Sequence, residues 1–444
     1  SASPHAGLTL IPSVSAGGAV RGQAVVAGTS GAQISSRRAA IRPRALRDPR
    51  RPCPSSNIRS HTQSAGRKRK YSVAIDVDPV RDWANIGDGP AGLIAELALA
   101  SDVADYVRFR AVCRPWRRCS PDPCAGGLDG RFLPRKWIML DKALARPRRH
   151  RLLNVSTGEC IRMDLPEFAE HTLLALTPEG LLLLLLKSTL VVRLLNPLTR
   201  QLTDLPPMTA LLRPGQHRSR QCGVEIGRTI NVSGVGLVAD ASMVAVNFFD
   251  PRGLVVAKPG DESWTMVDKE YMNSVLPFAG RFYCANYRGV MVLTTSSDQQ
   301  PPRLQLVADR SDSFDFYRMA HSLHLVDNGG ELMLVHRALS LDGEYGRSYD
   351  AYRVDLEAGV LAPAKGFNGR AVFMGMCRSI SVPAEAAYPS VAADTIYLGR
   401  DCGGQIQGYN IADGSICSLI EAVCPHSIVD CLRCCIQGLG KQLA

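Results

Sequence analysis

The sequence predicts an all-β propeller of six or seven blades, preceded by a small α-helical unit and a disordered basic tail. Three observations lead there. Short apolar runs separated by turn residues fill most of the chain from residue 132 to 436, without intervening helical periodicity. A turn sequence recurs in that region at a spacing typical of propeller blades. The basic charge is confined to the first 70 residues.

Residues 1–80 are the predicted tail. Ser, Ala, Gly, Pro and Arg dominate it, and no sustained apolar period runs through it, so it lacks the surface to offset the entropy of ordering. Residues 1–70 hold 13 Lys and Arg against one acid, Asp48, a net +12 in a chain whose total is +11. The remainder is therefore close to neutral and carries no electrostatic footprint for nucleic acid. Arg67-Lys68-Arg69-Lys70 has the form of a nuclear-localisation cluster. A Ser- and Arg-rich, acid-poor segment also fits an organellar transit peptide. The expected location is the nucleus or cytoplasm, with an organelle as the alternative.

Residues 82–120 read as helical. Asp88-Gly89-Pro90 is a helix start, after which Leu93, Ile94, Leu97 and Ala98 share one face. Ser101-Asp102 offers a second cap. Tyr106, Phe109, Cys113 and Trp116 follow at intervals of three and four, an amphipathic stripe that Pro115 and Pro121 end. Such a unit is too small to stand alone and needs the next domain or a partner.

Residues 132–436 contain the strands. The clearest are Trp137–Leu140, Leu181–Leu186, Leu190–Val192, Met243–Phe249, Val290–Leu293, Leu304–Val307, Glu331–Val335, Ala371–Met374 and Thr395–Leu398. Asn154-Val-Ser-Thr157 before Leu165-Pro166 is repeated as Asn196-Pro-Leu-Thr199 before Leu205-Pro206, 42 residues on. Echoes follow at Tyr352–Gly359 and Tyr409–Gly414. A period of about 40–50 residues is that of four-stranded blades. Residues 437–444 are a C-terminal tail.

Sites of chemistry are sparse. Gly234-Val-Gly-Leu-Val-Ala239 lacks the following helix that a dinucleotide site requires. Cys424, Cys431, Cys434, Cys435 and His426 contain one C-x-x-C spacing, where structural zinc wants two. No H-E-x-x-H, G-x-S-x-G or Walker loop occurs. We therefore expect no enzyme, no cofactor and no metal. The 14 cysteines are irregularly spaced and read as reduced thiols of a cytosolic or nuclear protein. The longest aliphatic run, Leu181–Leu186, is far short of the roughly 20 residues that cross a bilayer, so no membrane partner is expected.

The helical segment resembles an F-box. Asp82-Trp83-Ala84, Leu93-Ile94 and Arg110-Ala-Val-Cys113-Arg-Pro-Trp116-Arg117 follow that family's order, with Ile86-Gly87 in place of its Leu-Pro start. The resemblance implies docking on a Skp-type adaptor of cullin ubiquitin ligases through Ile86, Leu93, Ile94, Leu97, Val112 and Trp116, some of which can instead pack internally. The later stretches resemble the plant DUF295 (KIB-type) family, whose propeller follows an F-box. They are Arg131–Trp137, Asn154–Gly158, Leu194–Thr199, Gly260–Trp264, Leu276–Tyr283 and Pro425–Leu432. The implied function is substrate recognition in a Skp–cullin–F-box (SCF) ubiquitin ligase, the propeller holding an unknown client protein through its loops. The alternative is a propeller binding module that has lost the adaptor.

Overall fold

The computed structural model describes residues 82–140, 149–221, 226–238, 242–295, 300–309, 323–339, 347–375, 378–384, 391–398 and 407–418. The basic tail, the cysteines from Cys424 onward, Pro425–Leu432 and the C-terminal tail lie outside them.

Three helices come first: α1 (Asp88–Ser101), α2 (Val103–Val112) and α3 (Arg114–Arg118). The amphipathic stripe from Tyr106 to Trp116 is not one helix. Cys113 is extended, at φ −154° and ψ 168°, and Pro115 sits in the first turn of α3. Pro115 therefore starts an element that it was expected to end. Its ring lacks the N–H that would continue α2, and it is tolerated in the first turn of a new helix. The inner face of α1 is Ala91 and Ala95, whose small side chains let Tyr106, Phe109 and Phe132 pack against the helix.

The strands form successive antiparallel meanders. The first sheet is β1 (Trp137–Leu140), β2 (Arg149–Asn154) and β3 (Cys160–Asp164). Four four-stranded units follow. The first is β4 (His171–Leu176), β5 (Leu182–Leu186), β6 (Val191–Leu195) and β7 (Leu202–Pro207). The second is β8 (Asn231–Val238), β9 (Met243–Asp250), β10 (Gly253–Ala257) and β11 (Thr265–Asp268). The third is β12 (Ser274–Phe278), β13 (Arg281–Asn286), β14 (Gly289–Thr294) and β15 (Arg303–Asp309). The fourth is β16 (Leu323–Asp327), β17 (Leu332–Leu339), β18 (Arg347–Asp355) and β19 (Val360–Ala364). The third and fourth touch through one parallel pairing, Asp309 with Val360. A last sheet has the order β21-β20-β22-β23-β24, from β20 (Arg370–Met374), β21 (Ser379–Pro383), β22 (Thr395–Leu398), β23 (Gln407–Asn410) and β24 (Ile416–Ser418).

The inner strands, such as β5, β9, β10, β13 and β14, are buried on both faces because each sheet is packed on both sides, while the outer strands β3, β11, β15 and β19 are largely open. Leu183, Leu185 and Val192 meet Val235, Val244 and Val246. Ala245 and Leu254 meet Phe282 and Cys284. Tyr283 and Val292 meet Leu325 and Leu334. Val335 and Ala351 meet Val372 and Ile396. Phe373 and Tyr397 then meet Ile138 and Leu153, which returns the last sheet to the first. The first sheet joins the second through Met139, Leu182 and Leu184. Sheets stacked in this circuit make an all-β propeller.

The repeated turn has a common construction. At the corners β2–β3, β6–β7, β18–β19 and β23–β24, the side chain of Asn154, Asn196, Asp355 or Asn410 accepts the N–H two residues on, at 2.8–3.0 Å. The residue four positions on donates its N–H to the carbonyl of the Asn or Asp, at 2.9 Å in every case. That fourth residue is left-handed: Gly158, Arg200, Gly359 and Gly414 have φ of +67° to +73°. The last echo is thus anchored at Asn410. The β8 strand contains Gly234–Val238 and the chain continues into β9, and Gly236 serves a close sheet contact: a Cβ there would overlap the Pro277 ring.

Candidate interaction surfaces

On α1 the residues facing away from Ala91 and Ala95 are apolar and open to solvent. Leu93 is 69% exposed, Leu97 71% and Ile94 40%, and Val112 at the end of α2 is 63% exposed. Their helix positions alternate with the buried ones as a 3.6-residue period requires. Four apolar side chains on one small unit are more than isolated surface leucines. The other two expected site residues are placed differently. Trp116 stacks on Phe109 at 4.7 Å and donates its indole N–H to the Trp83 carbonyl at 3.0 Å. Ile86 is half-buried against the same cluster. Both hold the unit together, while Trp83, not singled out from the sequence, is exposed.

The helical unit is joined to the propeller by a polar latch. Asp102 caps α2 by accepting the Ala104 N–H at 2.7 Å. The same carboxylate accepts the Trp137 indole N–H at 2.8 Å and the Asn154 side-chain N–H at 2.9 Å. Around it Val103 and Ala104 pack on Trp137, Leu152 and Leu198. Asn196 repeats the device: its side-chain N–H donates to the Phe132 carbonyl at 2.8 Å. The two repeat asparagines thus shape their own turns and also fasten the segment before β1.

A second surface opens at one end of the central channel. The inner strands β4, β8, β12 and β16 are successive neighbours, and residues at or beyond their C-terminal ends line a cavity of about 490 Å³. Its wall includes Leu133, Leu237, Pro277 and Phe278, with Arg135, Glu179 and Asp327 as the charged groups. Glu179 is 8% exposed. Its Oε1 accepts the Leu237 N–H at 3.0 Å, and its Oε2 is buried without a hydrogen bond. Burial pushes this carboxyl above the usual carboxylate range, opposed by the Leu237 amide, its own amide, the Thr177 hydroxyl and the Arg135 charge. A buried acid with a raised pKa binds its proton more tightly in the folded state, so stability falls as pH rises from the ordinary carboxylate value to the raised one. Urea denaturation across that range is expected to show this decline, and Glu179→Gln is expected to flatten it; equal slopes for both proteins would contradict the assignment.

Among the described residues no cluster of His, Cys, Asp or Glu has the arrangement of a metal site, and no helix is long and apolar enough to cross a membrane. The described cysteines Cys113, Cys119, Cys124, Cys160 and Cys284 are free thiols. Burial holds Cys284 far above the usual thiol range, which leaves it inert.

Blades closed on a central channel define a β-propeller, a class generally used to bind other proteins. The chain belongs to the KIB1-4 beta-propeller family, whose model matches residues 136–417. That match begins one residue before β1 and excludes α1, α2 and α3. The sequence matches no curated protein. Solved structures similar to it include a Bacteroides thetaiotaomicron protein of unknown function (11% identity, TM-score 0.29, 60% of this chain and 63% of that one). Another is the dihydro-heme d1 dehydrogenase NirN (13%, 0.27, 54% and 45%). A third is the Cps50 (Swd1) propeller domain of Myceliophteria thermophila (10%, 0.31, 63% and 78%). The chain thus spans less than two thirds of the first two, and none of these likenesses bears on function.

Proposed function

We propose that the protein is the substrate-recognition subunit of an SCF ubiquitin ligase and performs no chemistry itself. The helices 82–118 bind a Skp-type adaptor, and a six-bladed propeller binds a client protein. Catalysis then comes from effective concentration, because a client held beside the conjugating enzyme reacts quasi-intramolecularly. The observation that carries this reading is the exposed strip of Leu93, Ile94, Leu97 and Val112, the form in which an amphipathic helix enters an apolar groove. The count of six blades rests on the four four-stranded units together with the first and last sheets that pack on each other.

Leu93→Asp is expected to weaken adaptor binding at least tenfold while leaving the circular dichroism spectrum and the melting temperature unchanged, since Leu93 is 69% exposed and outside the helical core. Undiminished capture by the purified adaptor would contradict the reading. One observation favours the alternative, a propeller binding module without an adaptor. Ile86, at the position of the family's Leu-Pro, is turned into the helical cluster rather than offered to a partner. Wild-type protein that fails to bind the adaptor, with the fold intact, would support that alternative.

A further inference from the structure

We propose that the channel mouth takes the cationic end of a lysine or arginine side chain from a bound protein, with Glu179 as its counter-charge. This deepens the reading of the propeller as a client-binding module and rests on that part of it alone, not on the adaptor.

The geometry is that of a receptor for a long side chain with a charged tip. The cavity holds about 490 Å³, enough for one or two side chains. Leu133, Leu237, Pro277 and Phe278 offer an apolar wall on which an aliphatic stem can lie. Glu179 stands in that wall with Oε1 occupied by the Leu237 N–H and Oε2 unpaired. No Lys or Arg nitrogen among the described residues lies within 4 Å of it. An unpaired buried carboxyl is expensive in a fold that gains nothing from it.

The backbone that carries the carboxyl is also fixed in place. Gly180, next in the turn, has φ +86°, and its Cα is wedged so closely under Pro134 and Trp137 that a Cβ would overlap the Pro134 carbonyl. The turn cannot swing Glu179 out into water. The other charged groups of the mouth among the described residues are Asp327, which adds negative potential, and the cation Arg135. An ammonium or guanidinium at the mouth would lie in the field of Glu179 and Asp327, and rotation of the carboxylate on its fixed backbone would bring the unpaired Oε2 to it as a charge-assisted acceptor.

The test uses the full chain and capped pentapeptides Gly-Gly-X-Gly-Gly, with X as lysine, arginine, norleucine or glutamate, read by saturation-transfer NMR. The lysine and arginine peptides are expected to saturate at low millimolar concentration or below. The norleucine peptide, which keeps the stem and lacks the charge, is expected to bind at least tenfold more weakly, and the glutamate peptide not at all. Glu179→Gln is expected to remove the preference for lysine and arginine while still binding the adaptor. Equal binding of the norleucine and lysine peptides, a comparison that needs no variant, would overturn the proposal. So would an unchanged lysine preference in Glu179→Gln, or no saturation by any peptide. Loss of adaptor binding by the wild type would leave these outcomes untouched and would count only against the ligase reading.

Discussion

Replacing Asp102 by Ala is expected to destabilise the protein by roughly 3 kcal/mol and to loosen the helical unit from the propeller. Three donors lose one acceptor group at once. The α2 cap contributes about 1 kcal/mol. The Trp137 indole N–H is buried on a residue 1% exposed, and Asn154 is 3% exposed, so neither donor recovers water in exchange. Each unpaired buried donor adds roughly 1–3 kcal/mol, partly relieved by relaxation. Asp102→Asn keeps one acceptor oxygen but turns an N–H toward donors, and is expected to fall between wild type and Ala. Urea denaturation monitored by tryptophan fluorescence checks both. A change below about 0.5 kcal/mol for Asp102→Ala would show that the latch is solvated and that α2 is held by Val103 and Ala104 alone.

Gly180→Ala is expected to be at least as damaging, about 3 kcal/mol or more, for two separable reasons. The left-handed φ of +86° strains any L-residue by roughly 1–2 kcal/mol. The added methyl would then stand 2.2 Å from the Pro134 oxygen and 2.9 Å from the Trp137 oxygen, both backbone atoms that cannot rotate away. The turn joining β4 and β5 must lift off the segment before β1, opening the packing there. Gly280 is the control: its φ is +74° with nothing within 4 Å of the added Cβ. Gly280→Ala is expected to show the strain alone, about 1 kcal/mol. Thermal melts of the two variants separate strain from overlap, and equal losses would mean that the close approach at Gly180 is relieved without cost.

Much of the propeller was legible because its signals are local. Runs such as Met243–Phe248 and Thr395–Leu398 are buried on both faces, and alternation is not needed to recognise them. The Asn154 and Asn196 turns announced themselves because an Asn side chain can bond only the amides just ahead of it. What the sequence did not disclose joins distant residues. Asp102 looked like a helix cap and is one, but its bonds to Trp137 and Asn154 span 35 and 52 residues. The F-box resemblance implied Trp116 as a docking residue, with internal packing as the alternative; the break at Cys113 folds it onto Phe109, as that alternative has it. Glu179 drew no notice, since a Pro-Glu-Gly turn ordinarily points its acid into solvent. Only the close approach of Gly180 to Pro134 turns that carboxyl into the channel wall.

In the proposed function an exposed helical face grips a shared adaptor while the propeller, latched to it through Asp102, binds something else. Isothermal titration of the full chain with purified Skp-type adaptor tests it most directly. One adaptor per chain is expected, with a dissociation constant of about 10 μM or tighter, equivalent to roughly 7 kcal/mol, and with loss of the signal in Leu93→Asp. A flat titration of folded wild-type protein at that concentration would contradict it.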